Sequence, residues 1–89
     1  MATRALPTTM KAVLYRGPGD LRVETVPVPT VGAGEVLVEV AVCGVSPADV
    51  KRVQMGLKPF GRVLGHEIAG TIVATGDEVD GWKPGERVV

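Results

Sequence analysis

The stretch EVLVEVAVCGVSPADVKRVQ, residues 35–54, contains the clearest strand pattern of the chain and, directly after it, the start of a helix. Within residues 35–42 every second residue is valine. This alternation predicts a strand with one face packed inward and the other face partly exposed to solvent. Ser46, Pro47 and Asp49 then match a helix N-terminus: a capping serine, a proline in the first turn and an acid three residues after the cap. The sequence therefore predicts a strand followed by a short helix that ends near Gln54.

Further strands are predicted on both sides of this stretch. Residues 11–15 and 21–26 flank a turn rich in Gly and Pro, which is typical of a hairpin. Residues 68–75 form another apolar strand, in which Gly70 marks a bulge or a close approach of two backbones, and a further strand begins at residues 87–89. Several short strands and one helix favour a mostly β fold, either an antiparallel barrel or a sandwich.

The composition limits the size of the domain and its partners. Eighty-nine residues suit one small domain, and with only three aromatic residues its core should consist of Val, Leu, Ile and Ala. Ten basic and ten acidic residues give zero formal net charge without a basic stripe, so neither nucleic acid nor a membrane surface is an expected partner. No segment resembles a membrane span or a secretory signal, and we expect a cytoplasmic protein. Residues 1–9 lack periodicity and should form a mobile tail before a domain at residues 10–89.

One short motif could carry chemistry. His66 and Glu67 are the only adjacent histidine and carboxylate, and with Cys43, the single cysteine, they would make a plausible zinc set. On residue chemistry alone the plainer interpretation is favoured, namely a structural histidine and a cysteine that behaves as a small apolar residue. Ser46 and Asp49 likewise have a plain explanation as the cap and first-turn acid of the helix. No G-x-G-x-x-G motif opens a helix after a strand, so no dinucleotide site is expected in this chain.

Taken in order, the motifs MKAVLY, P-x-P, GEVLVEV, CGVSPADVK, VLGHEIAGTIVATG and WKPGERVV resemble the N-terminal GroES-like domain of the medium-chain dehydrogenase/reductase family. That family includes zinc-dependent alcohol, sorbitol and threonine dehydrogenases as well as zinc-free quinone oxidoreductases. The resemblance spans residues 10–89 and implies an incomplete GroES-like antiparallel barrel with one short helix. It also implies the substrate and zinc side of an NAD(P)-dependent oxidoreductase that acts on a small alcohol or carbonyl. The chain should be inactive alone, because NAD(P) would bind only to a full-length relative.

The resemblance implies roles for individual residues. Zinc members read C-G-[IV]-C-x-[ST]-D, so Cys43 falls on a cysteine that does not bind zinc, Ser46 on the cysteine that does, and Ala48 on the hydroxyl that relays a proton. Asp49 matches the family aspartate and should fix the histidine ring.

His66 matches the second zinc ligand of that family, and Glu67 the carboxylate that binds or swings onto the metal. Because a serine hydroxyl is a far poorer zinc ligand than a thiolate, we expect weak zinc binding at His66 and Glu67, with Cys43 as a shifted third ligand. The residues expected in the catalytic site are Ser46 and Asp49.

Two alternatives stay open. One is a non-catalytic GroES-like barrel that serves binding or homo-oligomerisation; the GHE block and the GVSPAD segment argue against it, since a co-chaperonin has no use for them. The other is a truncated product without independent function.

Overall fold

Residues 6–89 are described by a computed structural model, which contains two three-stranded antiparallel sheets and one helix. In chain order the elements are β1 (Thr9–Gly17), β2 (Asp20–Pro27), β3 (Val36–Gly44), α1 (Pro47–Met55), β4 (Arg62–Val63), β5 (Glu67–Thr75) and β6 (Arg87–Val88). The mostly β class with one short helix is therefore confirmed. Between residues 6 and 89 there is no helix of the length and apolar character needed to cross a membrane.

The first sheet has the strand order β2-β1-β4. The predicted hairpin is present, with β1 and β2 paired from Thr9↔Pro27 to Gly17↔Asp20. The chain enters β1 earlier than expected, and the Thr8 carbonyl accepts a hydrogen bond from the Val28 backbone at 3.0 Å. Residues 1–5 of the predicted tail lie outside the described residues. Strand β4 was not predicted, because two residues are too few to produce a periodic pattern.

The second sheet has the order β3-β5-β6, with β5 at its centre. Strand β3 pairs with β5 along its whole length, but the register shifts twice, between Leu37 and Val38 and between Val40 and Val42. The first shift leaves an extra residue, Val73, in β5, and the second leaves an extra residue, Ala41, in β3, where it interrupts the alternation of the valines. Val40 is 49% exposed and Val42 63% exposed. The prediction that one face of this strand packs inward is therefore wrong for most of its valines.

The buried apolar core among the described residues is small and contains an aromatic side chain. It consists of Leu14, Tyr15 and Ile72, of which Tyr15 is 0% exposed. The Tyr15 hydroxyl donates to the Arg52 carbonyl of α1 at 3.2 Å, and its ring meets Phe60 edge-on at 5.5 Å between ring centres. The expected core of aliphatic residues alone was wrong, because a buried tyrosine is stable once its hydroxyl finds a partner.

Helix α1 begins as its sequence predicts. Ser46 is the N-cap in extended conformation, and its side chain accepts a hydrogen bond from the Asp49 backbone at 3.3 Å. The Asp49 carboxylate in turn accepts from the Ser46 backbone at 3.0 Å, which completes a capping box. The helix ends at Gly56, whose φ of 65° is the left-handed conformation that glycine adopts most easily. The cap fixes the positions of Ser46 and Asp49 relative to the second sheet.

Gly70 lies in the middle of β5, between β3 and β6. It pairs with Val40 on one side and with Val88 on the other. A Cβ atom placed on Gly70 would collide with the Glu39 carbonyl oxygen and lie 2.8 Å from Val38 Cγ1. The predicted close approach of two backbones is therefore confirmed.

Candidate functional site

Three polar side chains meet where the N-terminus of α1 faces the start of β5. His66 directly precedes β5, and its Nδ1 atom lies 3.2 Å from Asp49 Oδ1. Its Nε2 atom lies 3.4 Å from Ser46 Oγ. The structure therefore brings together the two residues expected in the catalytic site and one of the three expected metal ligands. We refer to Ser46, Asp49 and His66 as the polar corner.

The members of the polar corner differ in exposure. Ser46 is 9% exposed, whereas the side chains of His66 and Asp49 are 55% and 17% exposed. Hydrogen bonding from the Ser46 backbone N–H is the main reason that the pKa of Asp49 is lowered, and the charge of His66 adds a smaller effect in the same direction. Partial burial opposes this shift in pKa. Asp49 is therefore ionised at neutral pH, and only the imidazole of the corner is well exposed.

The ionised carboxylate of Asp49 determines which atoms of the polar corner carry hydrogens. Because a carboxylate can only accept, His66 Nδ1 must carry a hydrogen toward Asp49. In the neutral ring Nε2 is then an acceptor and faces the Ser46 hydroxyl. That hydroxyl has one proton for two acceptors, His66 Nε2 at 3.4 Å and Asp49 Oδ2 at 3.3 Å. Both ring nitrogens of His66 thus have a partner inside the protein.

The other two expected ligands lie apart from the imidazole. Glu67 pairs with Gly44 across the second sheet, and a Cβ atom on Gly44 would lie 3.3 Å from its Oε2. Cys43 is exposed, and its thiol packs against Gly65, where an added Cβ would lie 2.7 Å from the sulfur. Within residues 6–89, no three side chains of His, Cys, Asp or Glu are grouped so that they could hold a metal ion.

These residues do not fit the zinc ion that the family resemblance implies. A zinc site in a protein usually has four donors in a tetrahedron, and thiolate, imidazole and carboxylate are the usual ones. The polar corner offers one imidazole, and beside it the neutral hydroxyl of Ser46, a weak donor. The Asp49 carboxylate is directed at the far nitrogen of the ring.

An apolar groove of about 340 Å³ lies beside the corner, and no pattern in the sequence indicates it. Asp49 and Cys43 are the lining residues that belong to the expected site. Its apolar lining includes Val13, Val45, Val50, Val53 and Leu64. The groove brings together β1, β2, the end of β3, α1 and the segment before β5, which no periodicity in the sequence connects.

Comparison with known proteins gives the family. Residues 32–89 match the model of the alcohol dehydrogenase GroES-like domain. The chain belongs to this alcohol dehydrogenase family. It is 40% identical over 91 residues to D-arabinitol dehydrogenase 1 of Uromyces fabae, a match that covers 100% of the chain and 26% of that protein. It is 38% identical over 93 residues to sorbitol dehydrogenase of Bacillus subtilis, covering 97% of the chain and 26% of the relative.

Solved structures agree with this assignment to the alcohol dehydrogenase GroES-like family. The acetophenone reductase of Geotrichum candidum, solved in complex with NAD, superposes with a TM-score of 0.80 at 38% identity and covers 86% of this chain and 23% of that one. The structure of AibC superposes with a TM-score of 0.83 at 41% identity, with 90% and 24% covered. The chain thus spans about a quarter of the length of the relatives that it matches. The GroES-like expectation for the fold is confirmed.

Replacing Ser46 with alanine should lower the free energy of unfolding by about 0.5–2 kcal/mol, because the N-cap oxygen is lost. The measurement is a urea denaturation midpoint on the 89-residue chain. Ser46→Thr keeps a capping hydroxyl and should lose less than the alanine variant. An alanine variant with the wild-type midpoint would show that Ser46 does not act as the cap.

Proposed function

We propose that the chain forms the substrate side of a cytoplasmic NAD(P)-dependent oxidoreductase that acts on a small alcohol or carbonyl compound, and that it needs further polypeptide to act. The observation that carries the proposal is the polar corner, an exposed imidazole held by a carboxylate within an alcohol dehydrogenase GroES-like domain. Relatives that match it are named as polyol dehydrogenases and, among the solved structures, as a ketone reductase. These names support alcohols and carbonyls as the substrate class.

His66 is the member of the corner that a small molecule can reach, since its side chain is 55% exposed. We propose that the imidazole exchanges a proton with the oxygen of the alcohol or carbonyl, as a general acid or base. Asp49 fixes the ring through Nδ1, and the Ser46 hydroxyl shares its proton with Nε2. The hydride would pass between the substrate carbon and a nicotinamide held by another part of the polypeptide.

Zinc is assigned no step in this proposal. His66, Glu67 and Cys43, the ligands expected from the family resemblance, would offer zinc a weak site at most, because they do not form a group of three donors in residues 6–89.

The test begins by sequencing the DNA that follows the Val89 codon. An in-frame continuation with a dinucleotide-binding segment should give a protein that consumes NADH or NADPH in the presence of a ketone, followed by absorbance at 340 nm. The matched control is the 89-residue chain, which should show neither turnover nor calorimetric binding of nicotinamide, because it contains no dinucleotide motif. The acetophenone reductase of Geotrichum candidum serves as the positive control for binding.

Either of two results would contradict the proposal: a stop codon directly after Val89, or micromolar binding of NADH to the 89-residue chain itself.

The second candidate function, a non-catalytic barrel that associates with itself, is favoured by the exposure of Val40 and Val42 on β3. It predicts that the longer reading frame shows no nicotinamide-dependent turnover, so the same assay separates the two functions.

A further inference from the structure

We infer that the polar corner is a metal-free clamp, in which hydrogen bonds among Ser46, Asp49 and His66 hold α1 against the start of β5 in the place where the family resemblance implies zinc. The inference does not depend on the proposed function, since the expectation of zinc comes from the family resemblance. Its structural basis is the set of contacts within the corner and the way in which α1 is attached to the rest of the protein.

The spacing within the corner would suit a shared metal ion, but its chemistry does not. A nitrogen and an oxygen donor of tetrahedral zinc, each with a bond of about 2.1 Å, lie about 3.4 Å apart. Ser46 Oγ and His66 Nε2 are 3.4 Å apart, close to that value. What stands at position 46, however, is a hydroxyl that keeps its proton at neutral pH and directs it to Nε2 or to Asp49. The same pair of atoms therefore interacts directly, without an ion between them.

Zinc would also have to compete with the helix cap. Ser46 Oγ accepts the Asp49 N–H, and the Asp49 carboxylate accepts the Ser46 N–H while it holds His66 Nδ1. A metal ion bound by His66 Nε2 and Ser46 Oγ would take the imidazole lone pair away from the hydroxyl and need a lone pair of the oxygen that caps the helix. Zinc binding and the hydrogen bonds of the corner are thus opposed in this chain, since both use Ser46 Oγ and His66 Nε2.

Helix α1 needs such a clamp because it has no buried residue among its nine. Its C-terminal half is attached to the first sheet, where the Tyr15 hydroxyl donates to the Arg52 carbonyl and the Gly19 N–H to the Val53 carbonyl. At its N-terminal end, the hydrogen bonds and ion pairs of the described side chains to another part of the chain are those from Ser46 and Asp49 to His66. His66 lies twenty residues from Ser46 in sequence, so this contact is tertiary and not part of the cap itself.

The test uses the 89-residue chain, with amide hydrogen exchange and urea denaturation in EDTA or in added zinc chloride. In His66→Ala the amides of the first turn of α1 should exchange several-fold faster, while those of the β1–β2 hairpin keep their protection. Zinc chloride should leave the denaturation midpoint of the wild type unchanged. Glu67→Ala is the matched control, since Glu67 neighbours His66 but forms no hydrogen bond or ion pair with the described residues of the corner, and it should leave exchange in α1 as in the wild type.

Two results would overturn the inference. One is a zinc-dependent rise in the wild-type midpoint that His66→Ala abolishes, which would make the corner a metal site. The other is an unchanged rate of amide exchange in α1 of His66→Ala, which would mean that the polar corner does not hold α1 against the start of β5. If His66→Ala fails to fold, His66→Asn takes its place; its amide can donate to Asp49 but has no atom at the position of Nε2, so α1 should exchange at an intermediate rate. Because no arm measures turnover, failure of the clamp is distinguishable from failure of the proposed function.

Discussion

Gly70→Ala should lower the free energy of unfolding by about 1–3 kcal/mol, the usual range when extra volume is forced into a packed region, or prevent folding altogether. The added methyl group would collide with the Glu39 carbonyl oxygen and lie 3.0 Å from the Glu39 carbonyl carbon. Both atoms belong to the backbone of β3, which cannot rotate away as a flexible side chain could. Because β5 is the centre of the second sheet, any shift would disturb its pairing with both neighbours.

A matched control shows whether the collision is the cause. Gly17, at the end of β1, would receive the same methyl group with no atom within 4 Å. Gly17→Ala should therefore be neutral or slightly stabilising, since a methyl group at a compatible site restricts the unfolded chain by about 0.4–1 kcal/mol. Urea denaturation of both variants gives the comparison. Equal midpoints for the two would show that β3 yields to the methyl group and that the close approach at Gly70 is not rigid.

Elements with a local cause could be predicted from the sequence. The N-cap of α1 was predictable because Ser46, Pro47 and Asp49 satisfy the first backbone N–H groups of the helix wherever it packs. The β1–β2 hairpin was predictable because the turn and the alternation lie within one short segment. The role of Gly70 followed from its place within an apolar strand, where a missing side chain usually marks a close approach.

Features that depend on partners distant in sequence were not predictable in the same way. The bulges at Ala41 in β3 and at Val73 in β5 come from the pairing of these two strands, and the first interrupts an alternation that looked regular over residues 35–42. Tyr15 became buried because a carbonyl on α1 accepts its hydroxyl proton, at a distance of 37 residues in sequence. Neither partner is visible in the local pattern.

In the candidate site, too, some features have a local cause and others depend on residues distant in sequence. Local chemistry explained Ser46 and Asp49 as a cap and left His66 as a structural histidine. The expectation that Asp49 faces His66 came from the family resemblance, and the two side chains are in contact. The resemblance also grouped Glu67 and Cys43 with His66 as ligands, yet residues 6–89 contain no such group of three. Glu67 is the first residue of β5, whereas His66 lies just before the strand.

Ser46→Cys should bind zinc about ten-fold more tightly than the wild type, or better, since one added donor worth about 1.4 kcal/mol already gives that factor. The substitution places a soft sulfur, which zinc takes as a thiolate, next to an imidazole whose far nitrogen is held by Asp49, the arrangement that orients a metal-binding histidine. Position 46 is also where the family resemblance places the zinc-binding cysteine. Without metal the same variant should be less stable than the wild type, because the capping oxygen is lost.

Competition against a chromophoric chelator gives the affinities, and four further variants show which side chains are ligands. Ser46→Ala removes the hydroxyl without adding a donor and should bind zinc no better than the wild type. Ser46→Cys/His66→Ala should lose the gain, because sulfur and imidazole must bind the same ion. Adding Glu67→Gln or Cys43→Ser to Ser46→Cys tests the two remaining expected ligands. A loss of zinc affinity in either double variant would identify that residue as a further zinc donor.

Equal zinc affinity in the wild type and in Ser46→Cys would contradict the prediction. It would mean that the ring of His66 cannot leave its hydrogen bonds, and that the position of residue 46 relative to His66 does not allow a shared ion.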